Sequence, residues 1–174
     1  MLFGSFRGYN HTVLTLENSQ FTDKETPGAV LVEVGTTGYQ AQVRAGKHTF
    51  LVDEPESMGG KNAGPTPENL ILASLGSCTA ITLRMYAERK EWSLEKVEVK
   101  LYLENGPAKS NPQFKAGEFQ VRQQIIVKVW LHGNLQPDQL ERLSDIAGKC
   151  PVHKILNPSF AITTLVELAA PEFQ

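Results

Sequence analysis

Between Thr66 and Lys90 the chain carries a helix whose two ends are legible and which shows almost no polar side before Arg84. Thr66 is placed to cap it, Pro67 suits the first helical position because its missing N–H has no helical partner there, and Glu68 sets a carboxylate on the positive end of the dipole. Leu70, Ala73, Ser77, Ala80, Ile81 and Arg84 wind up one side, and the other sides are nearly as apolar. A helix of that kind is expected to be central and buried, and to have more apolar surface than a chain of this size covers alone, which predicts a two-fold partner burying the same patch on each subunit. Gly76 costs about 0.8–1 kcal/mol against Ala in a helix interior, so a neighbouring element is expected to approach the backbone there. The apolar stretch Leu70 to Leu83 falls short of the roughly 20 residues that span a bilayer, so no membrane is expected.

The flanking segments follow the other period. Ala29 to Val34, Tyr39 to Arg44 and His48 to Val52 alternate apolar and polar residues, with turns at 35–38 and 45–46, and predict a three-stranded antiparallel meander. Val97 to Leu103 and Phe119 to Leu131 predict a second hairpin across a long polar loop, Asn105 to Gly117. Leu140, Leu143, Ile146, Ala147 and Cys150 recur at helical spacing, Pro151 stops that helix or opens a short new one, and Ala161 to Val166 reads as a last strand. The order βββ, α, ββ, αα, β predicts an α+β fold with antiparallel sheets. Residues 1–28, with a short strand expected at Leu14 to Leu16, are read as an N-terminal arm, and 29–174 as the folded domain.

Seventeen Lys and Arg stand against 19 Asp and Glu, for a net charge of −2, which removes the electrostatic basis for nucleic-acid binding. Met1 to Arg7 has one basic residue and no sustained apolar core, so no secretory signal is expected and the protein is placed in the cytoplasm. There, two cysteines are either buried packing residues or a working pair. Cys78 lies mid-helix in Leu75-Gly76-Ser77-Cys78-Thr79, where reactivity needs a nearby cation or donor. Cys150, if Pro151 begins a helix, is its N-cap, with Lys149 adjacent and His153 three residues on. Cys-Pro-Val-His also has the spacing of a metal half-site, but His11, His48 and His132 show no partner spacing, so no metal is expected. The loop Met58 to Pro65 lacks the Gly-Lys-Ser/Thr ending of a phosphate cradle and reads as a loop with positive φ at several glycines. No Gly-x-Ser-x-Gly occurs, and no cofactor is expected.

Three segments together carry a resemblance: Gly59-Gly60 with Gly64-Pro65-Thr66-Pro67-Glu68-Asn69-Leu70, then Ala73-Ser74-Leu75-Gly76-Ser77-Cys78-Thr79-Ala80, then Ile146-Ala147-Gly148-Lys149-Cys150-Pro151-Val152-His153. From about Ala29 to Val166 the chain resembles the OsmC/Ohr family of osmotically induced and organic-hydroperoxide-resistance proteins. The resemblance implies an intertwined homodimer with two long central helices and a curved sheet from each chain. It implies a thiol peroxidase whose substrate is an organic hydroperoxide, or hydrogen peroxide, and whose reductant is a dithiol or other thiol. Cys78 would then attack the peroxide and Cys150 resolve it as a disulfide, while Glu68 would order an arginine that supports the thiolate. The family arginine follows a Gly-Gly in the early strands, where this chain has Gly38-Tyr39-Gln40, so Arg44 or Arg84 would have to substitute. A non-catalytic small-molecule-binding dimer and a redox sensor remain alternatives on the same scaffold. For the two-cysteine reading, the sulfurs are expected close together in a partly apolar pocket walled by the first helix.

Overall fold

The computed structural model describes residues 28–105, 123–157 and 161–168. The N-terminal arm up to residue 27, including the strand expected at Leu14 to Leu16, lies outside them, as does the hairpin loop beyond Asn105.

The first three strands form the expected meander: β1 (Val30–Val34), β2 (Ala41–Ala45) and β3 (His48–Val52), antiparallel, with Val32 opposite Val43 and Val43 opposite Phe50. Because side chains alternate along a strand, this register puts Val30, Val32 and Val34, Ala41 and Val43, and Phe50 and Val52 on one face. Ala41, Val43 and Val52 are buried, with Leu70 packed against them. Val30, Val32 and Val34 stay 56–59% exposed, so the described residues leave this apolar sheet face open.

The long helix α1 (Pro67–Arg89) begins and ends where its sequence predicts: the Thr66 hydroxyl accepts from the Asn69 amide at 3.2 Å, Pro67 opens the first turn, and Lys90 closes the last. It lies on a second sheet made of β4 (Ser93–Asn105), β5 (Gln123–Asn134) and β6 (Ala161–Leu168), in the order β4-β5-β6. Leu75, Leu83 and Ala87 of the helix pack with Ile125, Val127, Val129 and Leu131 of β5. At Gly76 β4 comes close: a Cβ there would stand 2.6 Å from Leu101 Cδ1, which is the approach its presence mid-helix predicts.

Two expectations need correction. β4 and β5 are antiparallel, but β6 runs parallel to β5, so the second sheet is mixed. The cause is the connection: α2 (Pro137–Ala147) and α3 (Pro151–Leu156) carry the chain back to the end from which β5 started. Second, the described residues include one long helix; α2 has 11 residues and α3 six, because Gly148 and Pro151 interrupt the apolar stripe. The helix α1 is only partly buried within one chain, with Ile81 58% and Met85 63% exposed, in keeping with its excess of apolar surface. By length and composition this 23-residue helix would also pass as a membrane span. Its row Leu75, Thr79 and Leu83 is nonetheless fully enclosed by protein, with the helix seated on β4.

Candidate active site

The site forms where α3 meets α1. Cys150 caps α3: its Sγ accepts from the His153 amide at 3.3 Å, and Pro151 holds the first turn. The same sulfur lies 3.6 Å from the Thr79 hydroxyl on α1, and no part of Cys150 reaches solvent. Cys78, the neighbour of Thr79, is half-buried against the same core that holds Cys150. The structure thus brings Cys78 and Cys150 together, both as free thiols. Burial pushes the Cys150 thiol up, and the Cys78 thiol pushes it the same way. The His153 amide and the Thr79 hydroxyl pull it down without reversing the balance. At neutral pH Cys150 therefore rests protonated, a reservoir for one proton beside a more exposed thiol.

Glu68 sits exposed in the first turn of α1, with no ion pair among the described residues. Ten helical residues separate it from Cys78, about 15 Å along the axis. Arg44 is exposed on β2 and pairs with Glu33 Oε2 at 3.5 Å, not with Glu68. Arg84 is engaged too: its Nε donates to Glu88 Oε1 at 2.8 Å, and its guanidinium also donates to the carbonyls of Leu94 and Glu95. It fastens the end of α1 to the start of β4. Among the described residues, neither Arg44 nor Arg84 pairs with Glu68. Burial holds His153 below its ordinary value, so it supplies no charge to the thiols near neutral pH. Among the described residues no group of three or more His, Cys, Asp or Glu converges that could hold a metal.

The glycine-rich loop does cradle an anion, and the anion is its own. Asp53, 2% exposed, directly follows β3 and accepts from the amides of Glu54, Lys61 and Ala63 at 2.9, 3.0 and 3.2 Å. Burial alone would raise this carboxyl, but the three amides and the Lys61 charge outweigh it, and the net shift is downward. Gly60 and Gly64 are required by close packing and not by positive φ: a Cβ would stand 1.9 Å from the Glu54 carbonyl oxygen and 2.3 Å from that of Leu51. Positive φ occurs in the loop at Gly59 and at Asn62. Sequence reasoning passed over both Asp53 and Thr79. The Asp at a strand end before Pro55 was the available sign for the first, since Asp side chains bond backbone amides in such turns. Thr79 had a weaker one, a hydroxyl in an otherwise apolar row.

A groove of about 320 Å³ runs along α1, lined by Ala80, Ile81, Arg84 and Met85 of the helix and by Glu95, Lys96 and Val97 of β4. It is walled by the first helix, but neither cysteine lines it, so it is not the pocket expected around the two sulfurs.

Residues 59–164 match the family model described as OsmC-like protein. No curated protein sequence matches the chain. Among solved structures, the OsmC-like protein of Mycoplasma pneumoniae is similar, at 18% identity and a TM-score of 0.65 over 84% of this chain and 99% of that one. The organic hydroperoxide resistance protein OsmC of Legionella pneumophila aligns at 20% identity with a TM-score of 0.55, over 80% and 96% of the two chains. The organic hydroperoxide resistance protein OhrB of Bacillus subtilis aligns at 16% and 0.54, again over 80% and 96%. Likeness at these identities concerns the fold.

Proposed function

The chain belongs to the OsmC-like protein family, and on that premise we propose that it is a thiol peroxidase in which Cys78 and Cys150 share one oxidation cycle. The Cys78 thiolate attacks the distal oxygen of a hydroperoxide ROOH; the O–O bond breaks, ROH leaves with a proton, and Cys78 becomes a sulfenic acid. The Cys150 thiol then attacks that sulfur, water leaves, and a Cys78–Cys150 disulfide forms. A dithiol reduces the disulfide by exchange and is itself oxidised, which returns both protons. The observation that carries this reading is the placement of Cys150 beside Cys78, on an element 72 residues downstream, with its sulfur on a helix N-terminus.

Organic hydroperoxides are the proposed substrates, and the cytoplasm the proposed compartment. A homodimer is proposed because the apolar faces of β1 and α1 stand open in one chain. Glu68 and Arg44 enter as the pair that would support the Cys78 thiolate, and Arg44→Ala tests that role through the rate of the first oxidation. Stopped-flow oxidation by cumene hydroperoxide and by hydrogen peroxide, followed by intact mass, tests the whole reading. Loss of two hydrogens per protomer, with turnover under a dithiol, supports it; thiols that survive a small excess of peroxide overturn it.

A redox sensor is the second reading, favoured by the engagement of Arg44 and Arg84 elsewhere. It predicts the same disulfide with negligible steady-state consumption.

A further inference from the structure

We propose that Thr79 is a positioning residue for Cys150: its hydroxyl donates to the Cys150 sulfur whenever that sulfur carries negative charge, first when it attacks and again when it leaves. This rests on the disulfide reading above and deepens it. Thr79 is 1% exposed and stands on the helix row Leu75, Thr79, Leu83, which faces the core. A hydroxyl in such a row is costly to bury unless it is bonded. A mid-helix threonine commonly turns its hydroxyl back to the carbonyl one turn earlier. Among the described residues, the partner of this hydroxyl is instead the Cys150 sulfur, at 3.6 Å.

That sulfur therefore has two donors with different properties. The His153 amide at 3.3 Å is fixed by the first turn of α3. The Thr79 hydroxyl can rotate, accepting from the thiol while Cys150 is protonated and donating once the proton has gone. In the closing step, Cys150 gives up its proton, its sulfur bonds to the sulfenic sulfur of Cys78, and the sulfenic oxygen departs as water. In the opening step, the thiolate of an external dithiol attacks Cys78, the S–S bond breaks, and Cys150 leaves as a thiolate into the two donors. Burial closes Cys150 to solvent and directs the reductant to the half-buried Cys78, while the two donors offset part of the cost of releasing Cys150 as a thiolate. Thr79 follows Cys78 in sequence, which ties the hydroxyl to the same turn of helix as the attacked sulfur.

The test reads the ionisation of Cys150 without a reagent, since that residue is closed to solvent. In the full chain with Cys78→Ser, Cys150 is the sole cysteine, and carbon-13 labelling at cysteine Cβ follows its titration by NMR. Adding Thr79→Val should raise the midpoint by about one pH unit, the tenfold effect of losing one hydrogen bond to a charged group. Adding Thr79→Ser, which keeps the hydroxyl, should leave the midpoint at the parent value. Thr79→Ala offers the same contrast with serine if valine is not accommodated. With both cysteines present, Thr79→Val should also slow reduction of the disulfide by dithiothreitol. Equal midpoints for the serine and the valine or alanine variants would overturn the role of the hydroxyl, whatever the peroxide assays give. Failure of the intact protein to form the disulfide would overturn the peroxidase reading while leaving the titration result to stand.

Discussion

The hydroxyl of Thr79 and the sulfur of Cys150 lie 3.6 Å apart across the contact between α1 and α3, although 71 residues separate them in the chain. Around that sulfur converge the Thr79 hydroxyl and the Cys78 thiol from α1 and the His153 amide from α3. The site is thus a property of one helix–helix contact. What holds the two helices in place is remote from it: Arg142 Nε on α2 donates to the Tyr86 hydroxyl at 3.0 Å, and Leu143, Ile146 and Ala147 pack into the same core as Leu83.

Cys78→Ser should abolish peroxide consumption, because it removes the sulfur assigned to the attack. Cys150→Ser should permit one round of oxidation and leave a sulfenic acid on Cys78 that a dimedone-type probe traps. Mass spectrometry locates the adduct. An adduct on Cys150 in the Cys78→Ser protein, formed at the parent rate, would reverse the assigned roles.

Stability should fall on both sides of neutrality for reasons that separate by residue. The folded state holds His153 below its ordinary value, so below about pH 6.5 the unfolded chain takes up a proton that the folded chain refuses. Stability then drops with pH until the lower folded-state value is passed. Cys150 is raised, so above about pH 8.5 the unfolded thiol releases a proton that the folded one retains, and stability drops as pH rises. Urea unfolding at several pH values checks both limbs. His153→Gln should flatten the first and Cys150→Ser the second.

Asp53→Asn should loosen the loop ahead of α1. The carboxylate accepts three backbone amides, and an amide side chain cannot accept from all of them with the same strength. Hydrogen exchange at Lys61 and Ala63 should speed up selectively. Because the folded-state carboxyl is lowered, its contribution is present above about pH 3.9 and is lost as pH falls through the lower folded value. The asparagine variant should lack that acid limb.

Gly76→Val should destabilise by about 1–3 kcal/mol, because the new side chain meets Leu101 where even a Cβ comes within 2.6 Å. Leu101→Ala in the same protein should recover part of the loss. By contrast Leu83→Ala, at a site with no exposure, should cost about 2–5 kcal/mol with no such rescue. Denaturant midpoints read all three.

Sedimentation at micromolar concentration should give about twice 19.2 kDa. Charged substitutions at Ile81 and Met85, both exposed in the single chain, should shift that value toward the monomer. A stable monomer of the unaltered protein would remove the reason offered for the open faces of β1 and α1.

The local elements were legible because each rests on a short-range rule. Thr66 and Pro67 set the start of α1, alternation set β1 to β5, and Pro151 made Cys150 a helix cap wherever the rest of the chain lay. Gly76 announced a close neighbour without saying which, and the neighbour is Leu101 of β4. The direction of β6 was not legible, since strand alternation is the same in parallel and antiparallel pairs and the choice falls to the crossover through α2 and α3. The sequence spacing of Cys78, Thr79 and Cys150 likewise contains no distance. Only the packing of α3 on α1 sets the hydroxyl against the sulfur, just as only the closure of the 54–65 loop turns the amides of Lys61 and Ala63 onto Asp53. Caps and periods act within a few residues and are written in the chain, whereas a long-range contact depends on the balance of burial and polar satisfaction across the whole core, which no single segment encodes.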